Sequence, residues 1–111
     1  MTVKELSDAL GYRVLCAPSM DREILGGVAC DLLSRAMSHM KAGDAWITVI
    51  SHVNVVAIAT LTDPACIIFS DGIEPEAEVL DRAREHGVNL LSASKDTFSV
   101  CAEISAICNL E

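Results

Sequence analysis

Aromatic residues are scarce in this chain: one Trp, one Tyr and two Phe, 4% of 111 residues. Its core must therefore be built from Val, Ile, Leu and Ala, the palette of buried parallel strands flanked by helices. Positive charge is also in short supply. Eight Lys and Arg face sixteen Asp and Glu, for a net charge of −8 and a pI near 4.7. Such a surface repels polyanions at long range, which argues against nucleic acid and anionic membranes as partners. The five cysteines form no CxxC or CxxH pair, and neither HxH nor HExxH occurs, so no metal site is expected. No GxGxxG or GK[ST] loop occurs either, which removes both common phosphate cradles. The N-terminus carries no apolar export segment, and an odd number of cysteines then suggests reduced thiols and a cytoplasmic setting.

Hydrophobic residues make up 51% of the chain, enough for a real core in one domain spanning 1–111. Residues 45–62 contain no Asp, Glu, Lys or Arg, at the threshold length for a membrane span. Thr48, Ser51, His52, Asn54, Thr60 and Thr62 interrupt them, so the stretch reads as a strand and a helix of a soluble core.

The order of elements is regular. Thr2 and Glu5 form a capping box for a first helix, with Val3, Leu6 and Leu10 on its inner face and Gly11 at its end. The segment "YRVLC" reads as a short strand and "ILGGVACDLL" as a second. "LSRAMSHMKAGD" suggests a short helix with Ala36, Met37 and Met40 inward and Gly43 at its end. "AWITVI", "ACIIF" and "VNLLSA" are strands, each followed by a helix. The first of these helices is expected to be capped by Ser51, although its β-branched residues also suit a strand. In the second, Pro75 suits the first turn, Glu78 pairs with Arg82, and Gly87 closes the helix. Ser94 or Asp96 caps the last. Strand and helix alternating through short joints predict an α/β fold, a mainly parallel sheet with flanking helices.

In such sheets ligands collect beyond the carboxyl ends of the strands. Candidate residues there are Ser51, His52 and Asn54, then Ser70, Asp71 and Gly72, with Asp31 nearby. Capping alone would explain Ser51, whereas His52 and Asn54 lie where free backbone N–H groups suit an anion. Asp71 fits a turn or a ligand contact, and Gly72 fits a positive φ. Asp31 fits a ligand contact or a cap for the helix after it. Lys95 is the cation able to meet an anion. Gly26 and Gly27 suit a close approach between strands. Cys101 and Cys108 share a helix face, and His86 at a helix end suits a structural role. No catalytic constellation emerges. A small hydrolase or transferase using His52 with Asp71 would need the two within hydrogen-bond reach.

The pieces "DREILGGVACDLLS" (21–34), "GDAWIT" (43–48) and "GIEPEAEVLDRAREHGVNLLS" (72–92) resemble the DRTGG domain family, above all its small stand-alone members of anaerobic bacteria. The layout is also similar to the N-terminal domain of HPr kinase/phosphorylase and, more distantly, of Mur ligases. The kinase's P-loop domain has no counterpart here. Where many members carry Gly-Asp-Arg, this chain has Ser51-His52-Val53, and the family's Thr-Gly-Gly corresponds to Ser70-Asp71-Gly72. The resemblance implies a non-enzymatic regulatory module that binds a ligand or a partner. It also implies a homodimer, with no cofactor and a small anionic ligand or nucleotide or a protein as partner. Stand-alone members resemble neighbours of iron hydrogenase genes, which implies an alternative role as an accessory or assembly factor for a redox enzyme.

Overall fold

Strands that follow one another through helices, always stepping in one direction, place those helices on one face when the crossovers share a hand. The computed structural model, which describes residues 1–110, has this arrangement. Its elements are α1 (Val3–Leu10), β1 (Arg13–Cys16), β2 (Gly26–Ala29), α2 (Leu33–His39) and β3 (Asp44–Thr48). They continue with α3 (Asn54–Thr62), β4 (Cys66–Phe69), α4 (Ala77–His86), β5 (Leu90–Ser92) and α5 (Thr97–Ile107). The sheet order is β1-β5-β4-β3-β2. Strands β2 to β5 are mutually parallel, and β1 joins β5 antiparallel. The α/β, mainly parallel expectation holds.

Two buried layers sandwich the sheet. Ala45, Ile47, Cys66, Ile68 and Leu91 pack with Val3 and Leu6 of α1 and Val100 and Ile104 of α5. The alternate residues Trp46, Ile67, Phe69 and Leu90 pack with Ala36, Val55, Val56, Ala59, Val79 and Ala83 of α2, α3 and α4. This period of two is the strand signature read against both faces. Burying one such aliphatic side chain contributes about 1.5–3 kcal/mol, so the two faces carry most of the folding energy.

Local signals hold at several points. The capping box of Thr2 and Glu5 is complete, and Gly11 and Gly87 end α1 and α4 in the left-handed conformation. Asp96 caps α5 by accepting from the Ser99 N–H. The β-branched stretch after β3 is a helix.

Five expectations are corrected. Ser51 does not cap α3, which starts at Asn54 after Val53. Asp31 and the Thr48 hydroxyl hold the chain at 49–50, and His52 takes the capping role, its Nδ1 accepting from the Asn54 N–H at 3.1 Å. Asp31 does not cap α2, whose first turn has no side-chain cap; its carboxylate is spent on β3. Helix α2 stops at His39, short of Gly43, and Met37 is exposed, not inward. Pro75 precedes α4 rather than lying in its first turn, since Glu76 is the cap.

Candidate functional site

Because β2 to β5 run parallel, the loops after them gather on one rim. Hydrogen bonds lace these loops together. Asp31, after β2, accepts through Oδ1 from the Thr48 hydroxyl (2.8 Å) and the Val49 N–H (2.9 Å). The Ser70 N–H donates to the Thr48 carbonyl at 3.2 Å, and the Glu76 N–H donates to the Ser51 carbonyl at 3.2 Å. The exits of β2, β3 and β4 are thereby joined into one continuous edge.

The turn after β4 completes it. Asp71 and Gly72 both have positive φ, 59° and 64°, the pattern of a type I′ turn. For Asp this conformation costs about 1–2 kcal/mol, and both N–H groups are repaid in hydrogen bonds. Asp71 donates to the Lys95 carbonyl at 2.7 Å and Gly72 to the Ala93 carbonyl at 2.9 Å. The backbone of 70–72 is thus tied to the exit of β5, with the Asp71 side chain exposed above it.

The candidate residues fall into two groups. His52, Asn54, Asp71 and Gly72 are exposed on the rim, and Ser51 is half-buried among them. His52 keeps Nε2 for an outside partner because Nδ1 is committed to Asn54. Ser70 is fully buried and its hydroxyl lies 2.6 Å from that of Thr97, so it serves the packing between β4 and α5. No hydrogen bond joins His52 and Asp71 among the described residues, so a preassembled base and orienter is not formed here. No three His, Cys, Asp or Glu among the described residues converge closely enough to hold a metal ion.

The expected cation is engaged elsewhere. Lys95 pairs with Glu103 at 2.5 Å, and Tyr12 donates to the same carboxylate at 3.1 Å. The Lys95 bond, aided by Tyr12, holds the Glu103 carboxyl below its ordinary range. Arg13 likewise grips both oxygens of Glu74 at 2.9 Å. Among the described residues the rim therefore offers hydrogen-bonding groups and the exposed Asp71 carboxylate, but no unpaired cation.

Sequence reasoning missed a concavity along the sheet edge. An open groove of about 960 Å³ runs along β2, lined among others by Gly27, Ala29, Asp31, Arg35, His39 and Lys41. The glycine pair was its one visible signal: a Cβ on Gly26 would stand 2.6 Å from Asp44 Oδ1. That β2 is an edge strand follows only from the topology. The thiols are retired from surface chemistry to different degrees. Cys66 is wholly buried, and burial raises the Cys101 and Cys108 thiols above their ordinary values. Among the described residues no helix is long and apolar enough to cross a membrane.

Residues 5–107 match the DRTGG domain. No curated protein sequence matches the chain. Among solved structures it is similar to the CBS and DRTGG domains of the regulatory region of a Clostridium perfringens pyrophosphatase, complexed with its activator diadenosine tetraphosphate. The TM-score is 0.78 at 15% identity, covering 93% of this chain and 45% of that one. At this identity the likeness is one of fold, and this chain spans less than half the length of the other.

Proposed function

Since the chain belongs to the DRTGG domain family, we propose that it acts as a non-catalytic regulatory module, homodimeric, that binds a nucleotide or a related small ligand at the strand-end rim. One observation carries this reading. The loops after β2, β3, β4 and β5 are laced into one edge, and His52 and Asp71 in those loops and Asn54 at the start of α3 are each exposed. Such groups recognise the base and sugar hydroxyls of a nucleotide by hydrogen bonding. With Lys95 and Arg13 both paired, a phosphate would extend toward solvent. The complex of the similar regulatory region with diadenosine tetraphosphate supports the ligand class. No observation favours the redox-accessory alternative, since Cys101 and Cys108 pack against the core.

Titration of AMP, ATP and diadenosine tetraphosphate into the protein, followed by amide NMR, tests the reading. Shifts should cluster at 51–54 and 70–72. His52→Ala and Asp71→Ala should each weaken binding roughly tenfold, the equivalent of one hydrogen bond lost. Failure of all three nucleotides to shift these amides overturns it. Native mass spectrometry of the same sample reads the dimer directly.

A further inference from the structure

The two edges of the sheet are built differently. At one, β1 carries the charged Arg13, breaks register between Val14 and Cys16, and is followed by Pro18. Charge, irregularity and proline are the devices that keep a free edge from pairing with other chains. The other edge, β2, reads Gly-Gly-Val-Ala and pairs regularly with β3 along its whole length. It has none of those devices.

Its backbone is presented outward. The Cys30 N–H donates inward to the Ile47 carbonyl at 3.1 Å. Because direction alternates along a strand, Val28 also faces β3, while Gly27 and Ala29 turn their N–H and C=O groups to the open side. Both residues are exposed, and their small side chains allow another backbone to approach. Leu25 and Leu32, 71% and 61% exposed, bracket the strand and line the same groove.

The charge around this edge is equally specific. Of eight Lys and Arg, six stand within ion-pair distance of a carboxylate. The two that do not among the described residues, Arg35 and Lys41, both line the β2 groove. Among the described residues neither groove acid lies within ion-pair distance of these cations: the exposed Asp31 accepts from Thr48 and Val49, and the buried Asp44 from the Lys41 N–H at 2.8 Å. In a chain of net charge −8, the cations left unpaired among the described residues are gathered at an unprotected edge.

We propose that β2 is a docking edge for an extended acidic peptide segment of another protein, which adds a sixth strand. Main-chain bonds to Gly27 and Ala29 would supply the pairing, Leu25 and Leu32 apolar anchors, and Arg35 and Lys41 the choice of charge. A second copy of this chain fits less well. Two-fold pairing of β2 with itself would bring both copies of Arg35 and Lys41 to one seam, four cations against two exposed Asp31 carboxylates. The proposal concerns a surface apart from the rim and stands independently of its ligand.

The test uses the whole chain and two short blocked peptides, one of alternating valine and glutamate, the other of valine and lysine. The glutamate peptide should bind in a salt-dependent manner and slow amide exchange at Gly27 and Ala29. The double variant Arg35→Glu/Lys41→Glu, altered only at exposed side chains, should weaken it by roughly tenfold or more, whereas Arg35→Lys/Lys41→Arg should retain it. Equal binding of the lysine peptide, or unchanged exchange at Gly27 and Ala29, overturns the proposal. So does protection of the same amides that grows with protein concentration alone, which would assign the edge to a second copy.

Discussion

Asp31 and Thr48 sit at the ends of neighbouring strands, and the fully buried Thr48 hydroxyl donates to Asp31 Oδ1 at 2.8 Å. The same oxygen accepts from the Val49 N–H, and Thr48 Oγ1 accepts in turn from the Ile50 N–H. One carboxylate therefore sets the path of the chain toward His52. Asp31→Ala leaves the hydroxyl and an N–H without their acceptor and should cost about 1–3 kcal/mol. The expected reading is a lower urea midpoint at unchanged slope, with amide exchange accelerated at Val49. Asp31→Asn should recover part of the loss.

Asn89, 2% exposed, clamps a distant loop. Its Oδ1 accepts from the Ser19 N–H at 3.0 Å, and its Nδ2 donates to the carbonyls of Ser19 and Ala65 at 2.7 and 2.9 Å. Asn89→Leu keeps the volume but takes the side-chain partner from the Ser19 N–H and the Ala65 carbonyl, while the Ser19 carbonyl keeps the Arg22 N–H, at a cost of about 2–4 kcal/mol. Chemical denaturation measures it, and exchange at Ser19 should rise first.

Gly26 and Asp44 are predicted to be energetically coupled. A Cβ at 26 meets a carboxylate oxygen whose partner oxygen is tied to Lys41. Gly26→Ala should destabilise, and Asp44→Ala should relieve part of that loss. A double-mutant cycle should return a coupling of about 0.5–1 kcal/mol or more; strict additivity would refute the contact.

Thiol labelling should separate the cysteines. Burial pushes the Cys66 thiol up to about 12 and leaves it wholly inaccessible, so it should react only as fast as the protein unfolds. Cys30, which lines the open groove, should react first. Peptide mass spectrometry over time resolves the order.

Acid should weaken the fold through its helix caps. Hydrogen bonds from Thr2 hold the Glu5 carboxyl below its ordinary value, and those from Ser99 do the same for Asp96. A depressed folded-state value contributes stability above the unfolded value and loses it as pH falls through the folded one. Thermal midpoints should therefore drop below about pH 4, and Asp96→Asn should flatten that dependence.

What could be read from the sequence was local or periodic. The Thr2–Glu5 box, the glycines at 11 and 87, and the strand–helix rhythm each depend on a few adjacent residues. Ser51 misled because a capping side chain works only where the backbone positions it, and Asp31, twenty residues earlier in the chain, displaces it. Ser70 has the right chemistry for a ligand but is used by Thr97, a contact that no spacing reveals. Arg35 and Lys41 gain their meaning from the absence of a carboxylate beside them and from β2 being an edge. Both facts belong to the assembled sheet.

The antiparallel pairing of β1 with β5, Arg13 opposite Ser92, has a consequence for how the chain closes. Strands β2 to β5 each find a neighbour one helix away, through short loops. Strand β1 must instead reach across nearly the whole sequence, so its loop-closure entropy is the largest in the sheet. The first and last strands are therefore each other's condition: shortening the chain at either end frees the other, and the protein loses a margin of its sheet from two termini at once.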